Sequence, residues 1–191
     1  MTSTVRRRPV VGVMGSSSRS YEELAEPLGC ALAGMGVHLL TGGGVAAMEA
    51  VSRAFAGVSP RAGLIVGVLP SDLQDGGRVP RAGYPNQWVE IAIFTHLPLR
   101  GISGTDERSR NHINVLSSDV VVALPGGEGT QSEVELAVRY GKPVVAFFGD
   151  HVVDWRVPDN VVVARSLAEV RRFVEVHLED CAPGRCSSVE S

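Results

Sequence analysis

Short apolar runs alternate with stretches of helical periodicity from one end of the chain to the other. Residues 10–14, 37–40, 64–69, 120–124 and 144–148 are brief runs rich in Val, Ile and Leu, of the length of buried strands. Residues 89–95 add a further strand and 161–164 an edge strand. Between them, residues 21–35 carry Leu24, Leu28, Leu32 and Met35 at helical spacing, and 46–56, 106–116, 132–140 and 166–178 complete the helices. Pro27 disturbs the first helix, Gly36 stops it, and Ser166 caps the last. Strands and helices spaced in this way need crossover connections, so the strands run parallel with both faces of the sheet covered. The expected fold class is α/β, a single-domain, Rossmann-like, doubly wound parallel sheet in three α/β/α layers.

The periodic region spans residues 10–180, read as one nucleotide-binding domain, with 1–9 and 181–191 expected to be flexible ends. Residues 71–87 are polar and rich in Gly and Pro, a loop long enough to serve as a lid.

Composition narrows the function classes. At 191 residues, with 44% hydrophobic and 20% charged positions, the chain suits one folded domain. A formal net charge of −3 gives no global basic field, which disfavours nucleic acid as a partner. No apolar run approaches the roughly 20 residues of a membrane span. The apolar segment after the basic N-terminus is too short for a signal-peptide core, so a cytoplasmic location is expected. Cys30, Cys181 and Cys186 are an odd number without ligand spacing, which argues against a disulfide framework or a zinc site. Cys30 is expected to act as a small buried hydrophobe in its helix. No cluster of His, Cys or carboxylates has metal-ligand spacing, and no metal or other required cofactor is expected.

In doubly wound sheets, ligands bind beyond the carboxyl ends of the strands. Three loops fall on that edge: residues 15–20, containing Gly15, Ser16 and Ser17; Thr41, Gly42, Gly43 and Gly44; and Pro125, Gly126, Gly127, Glu128, Gly129 and Thr130. Glycines in the third loop let the backbone approach a ligand, and the helix that follows offers free N–H groups to a phosphate, with Thr130 adding a hydroxyl. The first loop lacks the G-x-G-x-x-G spacing and no acidic residue ends the second strand, so an NAD enzyme is disfavoured; a P-loop is absent too. Tyr84 and Trp88 are candidates for stacking on a base, with core packing the ordinary role of such a Trp.

The nine residues Pro125-Gly126-Gly127-Glu128-Gly129-Thr130-Gln131-Ser132-Glu133 match the PGGxGTxxE motif. On it, the chain resembles the Lonely Guy family, once labelled lysine decarboxylase-like, and its relatives the molybdenum-cofactor carrier proteins, over roughly residues 10–150. The resemblance implies a Rossmann-fold homodimer that hydrolyses the N-glycosidic bond of a nucleoside 5′-monophosphate, releasing base and ribose 5-phosphate. It implies Glu133 as the catalytic glutamate. The catalytic arginine falls on Arg110, with Arg108 as the alternative. Asn111 and Asn114 lie close by, Asn114 on the same helical face as Arg110, and are candidates for binding the nucleotide or for bridging loops. The old decarboxylase label fits poorly, because a pyridoxal-phosphate enzyme needs a Schiff-base lysine and the chain has only Lys142. The segment from Ser109 to Ser118 is closer to the cofactor-carrier branch, which makes a non-catalytic carrier of molybdenum cofactor or a nucleotide the alternative function.

Overall fold

The computed structural model describes residues 7–72 and 79–180. Within them, seven strands form one parallel sheet: β1 (Val10–Met14), β2 (His38–Thr41), β3 (Ile65–Leu69), β4 (Ile91–Phe94), β5 (Val120–Ala123), β6 (Val144–Phe147) and β7 (Val162–Ala164). Their order is β4-β3-β2-β1-β5-β6-β7, and every neighbouring pair is parallel. The helices are α1 (Glu22–Gly34), α2 (Ala47–Ala56), α3 (Asn111–Leu116), α4 (Glu128–Arg139) and α5 (Leu167–Asp180). The result is the three-layer, Rossmann-like α/β/α fold.

The inner strands are largely apolar on both faces, as burial from two sides demands, while Ile91, Ile93 and Phe94 of β4 and Val162 and Val163 of β7 stay exposed at the sheet edges. Along β5, Val120 and Val122 join one core with Leu28, Leu32, Val51 and Phe55 from α1 and α2 and Val170 from α5. Val121 and Ala123 turn the other way, into a second core with Val115 of α3 and Val134 and Leu136 of α4. The two-residue period of a strand thus sorts alternate valines between two helical layers.

Local signals account for some of the element ends. Gly36, at φ 70°, turns the chain out of α1 in the left-handed conformation that glycine adopts without strain. Pro27 sits inside α1. Ser166 Oγ accepts the Glu169 N–H at the start of α5, and the Glu169 carboxylate accepts the Arg165 N–H. Cys30 differs from its expected burial: it lies on the exposed side of α1, since Leu28 and Leu32 set the buried face.

Two helices differ from the periodicity. α3 is only six residues long, because residues 101–109 form turns closed by polar contacts such as Asp106 Oδ1 with the Arg108 N–H. α4 begins at Glu128, inside the glycine motif, because its first turn carries no apolar marker. Of the long polar loop, residues 73–78 lie outside the described residues; its far end is fastened to the sheet. Asn86 donates its side-chain amide to the Gly44 carbonyl at 2.7 Å and its backbone N–H to the Gly43 carbonyl at 2.8 Å. Among the described residues, no helix is long and apolar enough to cross a membrane.

Candidate functional site

Strand order reverses between β1 and β5, so the chain leaves these neighbours toward opposite faces and opens a crevice at their carboxyl ends. The loops are knitted together there: the Ser16 N–H reaches the Pro125 carbonyl at 3.3 Å, and the Ala47 N–H reaches the Ser16 carbonyl at 3.1 Å. Above them lies a cleft of about 460 Å³. Gly15, Ser16 and Ser17 line it from the β1 side, Gly127, Glu128, Gly129, Thr130 and Glu133 from α4, and Arg110 and Asn111 from the start of α3.

The α4 end of the cleft offers groups that can hydrogen-bond an anion. Gly127 caps the helix, and first-turn N–H groups of a helix have no intrahelical acceptor. A side chain on Gly126 would run into Thr130 Oγ1, so glycine is required there for the turn to close over the helix. Beside Gly127 and Gly129 there is open space. Thr130 is 2% exposed and its hydroxyl has no hydrogen-bond partner, a costly state for a buried polar atom that a ligand oxygen would relieve. Ser16 Oγ is already engaged by the N–H groups of Ser18 and Arg19, both at 3.1 Å, and so orders the serine loop.

At the cleft floor, Arg110 and Glu133 are each only 6% exposed. Arg110 Nη1 lies 3.6 Å from Glu133 Oε1, and Asn114 Nδ2 donates to the same oxygen at 2.7 Å. Burial raises the Glu133 carboxyl above the ordinary carboxylate range, a shift opposed by the Arg110 charge and the Asn114 hydrogen bond. The guanidinium is under-used: Nε has no acceptor, and Nη1 makes a long 3.4 Å contact to Asn111 Oδ1. Asn111 in turn donates to Ser132 Oγ at 2.9 Å, tying α3 to α4. A buried cation with idle donors beside a polarised carboxyl can orient an oxyanion and hold or move a proton.

The two candidate arginines part company here. Arg108 is exposed and paired with Asp106, whereas Arg110 is the one brought to Glu133. Thr41–Gly44 stands behind the cleft. Thr41 is buried, and its hydroxyl accepts the Gly43 N–H at 3.0 Å; Gly42 backs the Arg110 guanidinium, and Gly44 backs the Tyr84 ring. Pro125 contributes its carbonyl to the Ser16 contact. Glu128 is an exposed residue of the first turn of α4, and Glu135 accepts from Gln131 at 2.9 Å on the outer surface. Both ring nitrogens of His112 are engaged, by Tyr140 Oη at 2.5 Å and the Asp106 carbonyl at 3.0 Å, so it braces α3 against α4. Trp88 packs on the core, while Tyr84 lines the cleft.

Sequence reasoning missed Trp155. From the loop after β6 it donates its indole N–H to the Gly126 carbonyl at 2.8 Å while its ring meets Phe148 edge-on at 6.0 Å. A lone tryptophan in a polar loop was the only signal for it. Met48, Arg100, Gly101 and Ile102 also line the cleft, and nothing local in the sequence marks them.

Fold and site together define a Rossmann-like protein with a polar cleft at the switch point of its sheet. The chain belongs to the SLOG cluster4 family, whose model matches residues 8–175, in keeping with the Lonely Guy resemblance carried by residues 125–133. An uncharacterized protein of Archaeoglobus fulgidus is 30% identical over 138 residues, 71% of this chain and 78% of its relative. Among solved structures, the molybdenum cofactor binding protein of the phototrophic bacterium Rippkaea orientalis is 31% identical. It superposes with a TM-score of 0.66 over 93% of this chain and 99% of its own. The molybdenum cofactor carrier protein of Chlamydomonas reinhardtii is 30% identical, with a TM-score of 0.67 over 91% and 99%.

Proposed function

We propose that the cleft binds a phosphorylated nucleotide-like molecule and that the protein hydrolyses the N-glycosidic bond of nucleoside 5′-monophosphates. The observation that carries this reading is Glu133, an ionisable group buried at the cleft floor with Arg110 and Asn114 on one oxygen. Burying a carboxylate is costly, and a site that only held a ligand would need hydrogen-bond donors rather than a group poised to exchange a proton.

In this reading the phosphate docks on the N–H groups of the first turn of α4 and the Thr130 hydroxyl. Arg110 turns its idle donors to phosphate or ribose oxygens. As the bond from the sugar to the base lengthens, positive charge develops on the ribose, and the Glu133 carboxylate stabilises it. Glu133 accepts a proton from the water that attacks the anomeric carbon and returns it to the leaving base, giving free base and ribose 5-phosphate. Its raised pKa suits both halves of that exchange.

A carrier of molybdenum cofactor, or of another phosphorylated pterin or nucleotide, is the second reading. It is favoured by the likeness to the Rippkaea and Chlamydomonas proteins. One experiment separates the two: purified protein is incubated with a panel of nucleoside 5′-monophosphates, and free base is followed by chromatography beside Glu133→Gln. Base released by wild type alone supports the hydrolase. No release from any nucleotide removes that reading, and a co-purifying pterin identified by mass spectrometry would put the carrier in its stead.

A further inference from the structure

The cleft lining divides by chemistry. The α4 and serine-loop residues bring backbone N–H groups and hydroxyls to the cleft, whereas the wall beside Gly44 presents Tyr84 and Met48. Ile102, from the turn that packs on α4, also lines the cleft and is 80% exposed.

Tyr84 is held in that wall by close packing. Its ring lies over Gly44, where a Cβ would stand 2.8 Å from Tyr84 Cε1 and from Met48 Cε. Only glycine leaves the ring room. The segment carrying Tyr84 is fastened to the same turn by Asn86, whose side chain is 6% exposed and donates to the Gly44 carbonyl. Asn86 Oδ1 also accepts the Trp88 N–H at 3.1 Å. A half-buried aromatic ring and a thioether side by side suit a flat π-system, which stacks on the tyrosine and contacts the sulfur.

We propose that Tyr84, flanked by Met48, is the ring subsite of the cleft and takes the planar heteroaromatic group of a phosphorylated ligand, whether nucleobase or pterin. The proposal rests on the reading that the cleft holds a phosphorylated heterocycle. It adds that Tyr84 sets affinity for the ring and leaves affinity for the phosphate untouched.

The test is calorimetric binding to the full chain with three probes: ribose 5-phosphate, a carbocyclic nucleoside 5′-monophosphate that resists hydrolysis, and a pterin bearing a phosphomonoester. Tyr84→Ala is expected to weaken the ring-bearing probe by about 10- to 100-fold, the loss of one base–aromatic stack, while ribose 5-phosphate binds as to wild type. Tyr84→Phe keeps the affinity. Gly44→Ala, which leaves the tyrosine in the chain but displaces its ring, reproduces Tyr84→Ala. Equal loss for ribose 5-phosphate, or unchanged ring-probe affinity in Tyr84→Ala, overturns the proposal. If wild type binds the pterin and not the nucleotide, and Tyr84→Ala weakens it, the subsite stands and the hydrolase reading falls. If Tyr84→Ala hydrolyses nucleotides with unchanged kcat/KM, the subsite falls and the hydrolase stands.

Discussion

Gly42 lies beneath the guanidinium of Arg110 so closely that a Cβ there would stand 2.5 Å from Nη2 and 2.8 Å from Cζ. The glycine of the second loop is therefore a seat for the arginine of α3. Gly42→Ala is expected to push Arg110 off Glu133. Overpacking of this kind costs about 1–3 kcal/mol, so the denaturation midpoint falls and, under the proposed hydrolase function, base release falls with it. Full activity in Gly42→Ala, measured by chromatography of free base, would separate Arg110 from the chemistry.

Glu133 makes stability depend on pH with a definite sign. Its folded-state pKa lies above its unfolded value, so the folded chain holds that proton more tightly. The contribution is most favourable below the ordinary carboxylate pKa and is lost as pH rises through the raised value. Glu23, Glu90 and Glu169 are shifted the other way, chiefly by hydrogen bonds from backbone or arginine donors. The clean observable is therefore a difference. The stability of wild type minus that of Glu133→Gln should fall as pH rises from about 4 upward. A difference that is flat or rising, from urea titrations across pH, would contradict the raised pKa of the buried Glu133 carboxyl.

Ala46 precedes α2 at φ 60°, ψ −121°, a conformation that glycine tolerates and alanine does not. Relief of that strain should make Ala46→Gly more stable by about 1 kcal/mol, despite the larger chain entropy of glycine. Thermal unfolding reads the result; a lower Tm would show that the alanine methyl group supplies packing worth more than the strain.

Trp155 holds the glycine motif from outside. Trp155→Phe keeps most of the contact with Phe148 but removes the donor to the Gly126 carbonyl, at an expected cost of about 1 kcal/mol. With Trp88 replaced by Phe, Trp155 becomes the sole tryptophan. Its emission should then shift when ribose 5-phosphate binds. Unchanged emission at saturation would mean that the ligand does not reach the Gly126 loop.

Lys142, the only lysine in the chain, donates to the carbonyls of Leu116 at 3.0 Å and Ser118 at 2.8 Å, just past α3. It satisfies the carboxyl end of the helix that carries Asn111 and Asn114, whose own last turn holds no basic residue. Lys142→Met should cost about 1–2 kcal/mol, with partial recovery in Lys142→Arg; equal stability of all three in urea would remove the capping role.

Legibility followed the range of the interactions. The strands could be read because two-sided burial writes itself as continuous apolar runs, and the strand–helix alternation then forces a parallel sheet. The motif at 125–133 was legible because one short segment supplies the turn, the helix start and Glu133 together. The start of α4 was not, because residues 128–131 are polar or small and helical only through the bonds of that turn. Arg108 and Arg110 are chemically alike in sequence, and the turns of residues 101–109 alone send one to solvent and the other to Glu133.

By itself, the sequence determined the layered α/β architecture, the crevice edge and the loops that meet there, since these depend on periodicity and contiguous segments. Tertiary structure alone decided that Gly42 and Gly44 serve as seats for Arg110 and Tyr84, and that Trp155 grips Gly126. It also decided that Glu133 is buried, which raises its carboxyl pKa. Each of these is a contact between segments far apart in the chain, and no local pattern encodes which distant side chain will fill the space a glycine leaves.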